Sequence, residues 1–309
     1  GFWSTVDPNL SGNDDFGCGK GIKKALSKRF MKYQKTHRFG PIESLETGRG
    51  YFGPPPVKVH SFFVDGLLID TGPPNAKAAL LDWLADKNLQ QIFVTHHHED
   101  HSGNVKVIQN QYNVEAYSST LCADLVKGKV QTSIPQLLFW GRPEYIDTLT
   151  PIQKDVFETP NHRFALIPIP GHAPDQLALY EKEQGWLFSA DAFVSPVIKY
   201  FMKKESMAEQ IQSLKRLLAL DFEWLLCCHK PLLKGGKEQL QQKCNFLEDY
   251  YGQVVFYHQK GHSAGTILSL MGKKELWFQK LLSQNNLSAI NMVHSVLRDE
   301  AKKQLINPS

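Results

Sequence analysis

The stretch Thr95-His96-His97-His98-Glu99-Asp100-His101-Ser102-Gly103 follows directly on an apolar run, Gln91-Ile92-Phe93-Val94, and decides how the rest of the chain is read. Imidazole and carboxylate are the donors that divalent ions such as zinc prefer, and every side chain from His96 to His101 is of one kind or the other. On a tight loop only some of them point the same way. His96 and His98 project together, while Asp100 and His101 turn back toward a second position, so the register is His-x-His-x-Asp-His. A solvated histidine tract has no reason to sit between an apolar strand and a helix start at Ser102-Gly103-Asn104, and it is this context that separates a motif from a chance match.

An ion bound there needs further ligands, and three stand just past other apolar runs. His172 follows residues 164–169 in Pro170-Gly171-His172, Asp191 follows 186–189, and His229 follows 224–228. Loops at strand ends are where a rigid scaffold carries chemistry. Cys227 and Cys228 precede His229, but on so apolar a strand at least one faces the core, where cysteine behaves as a small hydrophobe. Both read as structural. His37, His60, His162, His258, His262 and His294 show no ligand-like pattern, and His97 and Glu99 occupy the variable positions of the motif.

Outward from the motif the chain alternates between strand and helix. Residues 57–64 and 67–72 flank Asp65-Gly66, a type I′ hairpin signal. A helix over 76–86 buries Ala79, Leu80, Trp83 and Leu84. A strand at 91–95, a helix at 105–112 and strands near 114–117, 164–169, 177–180, 186–189 and 224–228 follow, with a helix at 207–219. Such alternation predicts an α/β layered domain over 51–235. Residues 132–158 break the rhythm with Leu137, Leu138, Phe139 and Trp140 among prolines and read as an excursion over one face.

Residues 1–50 read as an N-terminal extension. Ile22, Leu26, Phe30 and Tyr33 stand at helical spacing among Lys20, Lys23, Lys24, Lys28, Arg29, Lys32, Lys35 and Arg38, which predicts an amphipathic helix with a solvated basic face. Residues 236–309 read as a helical extension, with Ser288 as a helix cap.

The 309 residues carry 35 Lys plus Arg against 31 Asp plus Glu, a net charge of +4, with 42% hydrophobic and 21% charged residues. That composition excludes disordered and fibrous classes, and no apolar run approaches the roughly 20 residues a membrane helix needs. Five scattered cysteines, Cys18, Cys122, Cys227, Cys228 and Cys244, give no disulfide framework. They point to a reducing, cytoplasmic setting, an expectation that a signal peptide removed upstream of Gly1 would alter. The sequence pI of about 8.6 is short of the strongly basic range of nucleic-acid binders. The oligomeric state is not encoded in any pattern here.

Taken together, His96-x-His98-x-Asp100-His101, Gly171-His172, Asp191 and His229, with the hairpin ending Leu68-Ile69-Asp70-Thr71-Gly72, resemble the metallo-β-lactamase superfamily over residues 57–232. The resemblance implies an αβ/βα sandwich, α/β in class, here with a helical C-terminal extension. It implies that His96, His98 and His172 hold one metal, that Asp100, His101 and His229 hold a second, and that Asp191 bridges them. Asp70 matches the carboxylate that orients a ligand histidine in such folds. The implied cofactors are two divalent ions; zinc suits the donors, and manganese or iron is compatible with them.

Two such ions about 3.5–4 Å apart share a water and lower its pKa from about 15.7 toward about 7, giving a hydroxide nucleophile without serine or cysteine. Asp100 is the residue placed to orient that nucleophile and carry its proton. Zinc β-lactamases commonly place a cysteine among the second metal's ligands and lack the histidine after the motif aspartate, whereas this chain has Asp191 and His101. The pattern is closer to glyoxalase II thioesterases and lactonases, and the expected substrate is a small acyl ester, thioester or lactone. The alternatives are a metal-dependent ribonuclease or phosphodiesterase, which the charge disfavours, and a non-hydrolytic iron oxygenase.

Overall fold

The computed structural model describes residues 31–306, apart from 51–54, 56, 129–136, 138–139 and 276. It opens on two long strands, β1 (Met31–Phe39) and β2 (Ile42–Gly50), joined by Gly40-Pro41 with Gly40 at φ +54°. Strand β1 replaces the tail of the expected basic helix. Ile22, Leu26 and Phe30 lie outside the described residues, and from Tyr33 onward the chain is extended. Tyr33, His37 and Phe39 are half-buried, while Gln34, Lys35, Thr36 and Arg38 are exposed. Full pairing with β2 from Met31↔Gly50 to Phe39↔Ile42 overrides the helical spacing over these residues.

Strand β2 pairs with β3 (Lys58–Val64), so residues 31–50, expected as part of a separate extension, join the same sheet as those that follow. The chain turns from β3 into β4 (Leu67–Ile69) through Asp65 and Gly66, both at positive φ (49° and 78°), as a type I′ turn demands. A 3-10 turn at Pro74–Ala76 leads to α1 (Lys77–Leu84), β5 (Gln91–Phe93), the single turn α2 (Glu99–Ser102), α3 (Val105–Tyr112), β6 (Glu115–Ser119), α4 (Thr120–Leu125) and β7 (Leu149–Ile152). The first sheet has the order β1-β2-β3-β4-β5-β6-β7, antiparallel as far as β4 and parallel beyond it.

The second sheet collects β8 (Val156–Glu158), β9 (Arg163–Pro168), β10 (Leu177–Glu181) and β11 (Trp186–Ala190). After β12 (Phe201–Met202) and α5 (Met207–Leu218), β13 (Trp224–Cys227) completes it in the order β13-β11-β10-β9-β8. Strands β7 and β8 lie in the stretch expected to be an irregular excursion. Their signal is short, and Pro151 obscures it; β7 is an edge strand, where a missing N–H is tolerated. Of the apolar cover expected there, Leu138 and Phe139 lie outside the described residues.

The chain ends in α6 (Gly236–Gln259), α7 (Ala264–Leu270), α8 (Trp277–Leu282), the short β14 (Leu287–Ser288) and α9 (Ala289–Ile306). Ser288 is not the cap of α9. It pairs with Phe201 of β12, and the capping oxygens come from Glu275, which accepts from the Ser288 hydroxyl at 2.8 Å and the Ala289 N–H at 2.9 Å. Among the described residues no helix is long and apolar enough to cross a membrane.

Burial follows the strand alternation and gives four layers. On β10, Leu177 and Leu179 face the first sheet while Ala178 and Tyr180 face the C-terminal helices; on β11, Trp186 and Phe188 face the first sheet and Leu187 the helices. Cys227 and Cys228 obey the same rule, one in each layer, so both are core residues. A third cluster, including Leu80, Leu84, Val105 and Ile108, packs α1 and α3 against the outer face of the first sheet. The order is helices, sheet, sheet, helices, the αβ/βα sandwich that the resemblance implied. Phe164 is fully buried at its centre, edge-on to Phe188 at 6.1 Å between ring centroids. Phe164→Ala, which leaves a large cavity between the sheets, is expected to lower stability by about 3–5 kcal/mol in urea unfolding.

Candidate metal centre

Strand direction gathers the candidate ligands. Strands β9 and β11 are each antiparallel to β10, and β13 is parallel to β11, so all three run the same way and deliver His172, Asp191 and His229 past their C-terminal ends to one edge. The motif loop leaves β5 and is tied to that edge where Leu177 N–H donates to the Thr95 carbonyl at 3.0 Å. His96, His98, His172 and Asp191 place one donor atom each within 4.8 Å of one another, and so do Asp100, His101, Asp191 and His229. Every residue singled out as a ligand in the sequence thus falls in one of two clusters that share Asp191.

The hydrogen bonds fix which nitrogen each imidazole turns inward. Asp70 Oδ2 accepts from His101 Nδ1–H at 2.8 Å, and the Lys58 carbonyl accepts from His229 Nδ1–H at 2.6 Å. The Thr95 hydroxyl donates its one proton to Asp70 Oδ2 at 2.9 Å, so its 3.1 Å contact with His96 Nδ1 has the imidazole as donor. Nε2 of His96, His101 and His229 is therefore the inward atom. His98 turns Nδ1 inward, 3.0 Å from His96 Nε2 and 3.1 Å from His172 Nε2. A ligating histidine needs its outer nitrogen held in this way.

Two buried atoms at the heart of the site, His101 Nε2 and Asp191 Oδ1, lie 3.3 Å apart and neither makes a hydrogen bond. They face each other as a buried ion pair without a formed hydrogen bond, and a cation between them would coordinate both. The charges divide accordingly. Burial, reinforced by neighbouring imidazoles, holds His96 and His98 well below the usual histidine range, in the neutral ligating form. Burial also presses on His101, His172 and His229, but carboxylates outweigh it: Asp191, Asp100 and Asp70 hold His101 far above its usual range, and Asp191 with Glu205 carries His172 up to about 10. Burial opposes ionisation of Asp191, yet His229 and His101 keep its carboxyl well below the usual carboxylate range. Nitrogen and oxygen donors so placed fit a divalent cation, whose binding displaces protons from the charged imidazoles.

The backbone is strained at this edge. Asp70 and Ala190, the latter immediately before Asp191, stand at φ +60° and +46°, each costing about 1–3 kcal/mol, as is common where side chains are aimed at a functional site. Cys228 donates weakly to Asp70 from 3.5 Å, burial raises its thiol well above the usual range, and its sulfur lies in a further group of possible donors with Asp70 and His101. His97 is half-buried with Nδ1 2.7 Å from Asp175 Oδ1, whose other oxygen accepts the His97 N–H at 2.8 Å.

Several supporting residues carry no motif and escape sequence reasoning. Asn104 bonds the carbonyls of Thr71 and Pro73, each at 2.8 Å, and binds the entry loop to the start of α3. Lys243, buried on α6, donates to the Ala192 carbonyl at 2.7 Å, one residue past Asp191. His60 belongs to a third group with His37 and Glu46. The Glu46 carboxylate there already accepts from Tyr33 at 2.9 Å and His37 at 2.9 Å and pairs with Lys58 at 3.3 Å. Burial pushes the His60 imidazole down to about 4 against the pull of Glu46.

Comparison with known proteins follows the same lines. A metallo-β-lactamase from Pontibacter korlensis is 19% identical, with a TM-score of 0.57 over 70% of this chain and 100% of that one. A metallo-β-lactamase family protein from Thermus thermophilus is 16% identical, with a TM-score of 0.55 over 89% of this chain and 95% of that one. A flavo di-iron protein from Thermotoga maritima is 19% identical, with a TM-score of 0.53 over 72% of this chain and 63% of that one. At such identities these likenesses show the fold. The family model described as metallo-beta-lactamase superfamily matches residues 54–229, more than half of the chain. The chain belongs to the metallo-β-lactamase superfamily.

Proposed function

We propose that this protein is a binuclear metal-dependent hydrolase that cleaves the ester, thioester or lactone bond of a small acyl compound. The observation that carries the proposal is the pair of four-residue clusters meeting at Asp191, built wholly from nitrogen and oxygen donors. His96 Nε2, His98 Nδ1 and His172 Nε2 would hold one ion, Asp100, His101 Nε2 and His229 Nε2 the other, with Asp191 between them. Divalent ions so held supply a water acidified toward neutral pH and polarise the carbonyl under attack.

The chain's own residues do the rest. Asp70 accepts from His101 Nδ1–H, so that Nε2 is the nitrogen left to an ion once its proton is displaced. Asp100, in the cluster with His101 and His229, orients the attacking water and returns a proton to the departing oxygen or sulfur. Val194 and Val197, 45% and 52% exposed on the loop after Asp191, offer apolar surface to an acyl chain. The likeness to a flavo di-iron protein and the absence of thiolate donors in either cluster keep iron compatible with the site, and metal analysis of the purified protein separates zinc from iron.

The metal-loaded protein is expected to hydrolyse at least one member of a panel of thioesters and lactones, to leave phosphodiesters and single-stranded RNA intact, and to lose activity to chelator. His98→Ala or Asp191→Ala is expected to reduce turnover by more than about a hundredfold, beyond the cost of losing a ligand's outer partner, with the circular dichroism spectrum retained. Full activity in either variant contradicts the assignment.

Asp70→Asn preserves a residue type that tolerates positive φ but removes the acceptor charge facing His101. It is expected to weaken binding of one of two zinc ions about 10–100-fold, read by competition with a chromophoric chelator.

A further inference from the structure

Three of the inward-facing histidines have their outer nitrogen held by a group within 3.1 Å, and for His172 that place is taken by Glu205. Its Oε1 stands 3.6 Å from His172 Nδ1, within ion-pair range, while His172 Nε2 faces Asp191 at 3.3 Å. Glu205 is only 8% exposed and lies 33 residues beyond its histidine, at no motif position. It is held from every side. Met202 N–H donates to Oε1 at 3.0 Å and the Gln210 amide to Oε2 at 2.6 Å.

The backbone around Glu205 is held in turn by the last helix. The Ser295 hydroxyl and the Arg298 Nη2 donate to the Glu205 carbonyl at 2.9 and 3.0 Å, and Ser295 Oγ also accepts the Met207 N–H at 2.8 Å. Asp299 accepts from the Ser206 hydroxyl at 3.0 Å and the Ala208 N–H at 2.9 Å. Residues 295, 298 and 299 share one face of α9. The apolar neighbours Met292, Val293 and Val296 pack that helix on the core. Burying Ser295 and Asp299 as well costs free energy unless their hydrogen bonds are made, and all of those cited go to residues 205–208.

The same segment grips the loop of His172. Ser206 N–H donates to the Gly171 carbonyl at 2.9 Å, and Gly171 sits so close to α5 that a Cβ would stand 2.5 Å from the Gln210 backbone nitrogen. Its φ of +129° admits only glycine comfortably.

We infer that Glu205 is the positioning residue for His172, and that the C-terminal helix, through Ser295, Arg298 and Asp299, is the brace that keeps it in place. The inference rests on the binuclear reading above and gives the C-terminal extension a role at that centre instead of at a separate ligand. The test uses the full chain, stripped of metal and titrated with Zn²⁺ against a chromophoric chelator, with thermal unfolding of the metal-free form alongside. For Glu205→Gln the dissociation constant of one of two ions is expected to rise about 10–100-fold, with the other ion unchanged and the metal-free form still folded. Ser295→Ala is expected to weaken the same ion to a smaller extent, and it decides the matter if Glu205→Gln does not fold. Wild-type affinity for both ions in whichever variants fold, or equal weakening of both, overturns the brace. A wild-type chain that takes up no divalent ion sinks the binuclear reading itself, and the two failures are told apart by that first titration.

Discussion

Five imidazoles and two carboxylates from four separated stretches of chain meet within a few ångströms at the edge where two sheets face each other. Such a gathering is unfavourable on its own. The imidazoles repel one another when protonated, burial penalises every charge, and His101 Nε2 and Asp191 Oδ1 lack hydrogen-bond partners. A divalent cation converts repulsion into coordination. Much of the surrounding structure serves to hold the donors together until one binds.

That demand explains features with no role in packing. Positive φ at Asp70 and Ala190 aims two carboxylates, Asp70 at His101 and Asp191 at the cluster centre, and the strain is sustained by the closed sheets on either side. Thr95 is spent entirely on polar contacts: its N–H and hydroxyl go to Asp70, its carbonyl to Leu177, and its oxygen to the His96 ring. The buried Lys243 steadies the segment after Asp191 from the outer helical layer. Supporting contacts thus reach the centre from all four layers, so the helical extension is not an appendage in the physical sense.

Substrate preference belongs to a different part of the molecule. The ligand set is common to many chemistries, and a fold by itself assigns none of them. Around the donors the chain sets polar contacts of its own: the Asp175-backed His97 beside the motif, and the group of Tyr33, His37, Glu46 and Lys58 on β1, β2 and β3, in which Lys58 offers its carbonyl to His229.

Elements with a local signal were legible from residue order. Asp65-Gly66 dictates its turn because two successive positive φ values admit few residue pairs, and the apolar runs ahead of His96, His172, Asp191 and His229 mark strands whose ends carry those ligands. The ligand list could be read because donor chemistry is written in residue type. Features that depend on distant partners were not legible in this way. Tyr33 to Phe39 became a strand because β2 was available to pair with it, and Glu275 displaced Ser288 as the cap of α9 because folding brings its carboxylate there. Asp70 reaches His101 across 31 positions and Glu205 reaches His172 across 33, contacts that no local period encodes. Direction and proximity of side chains far apart in the chain arise only when the sheets close, and that closure sets which nitrogen of each histidine faces inward.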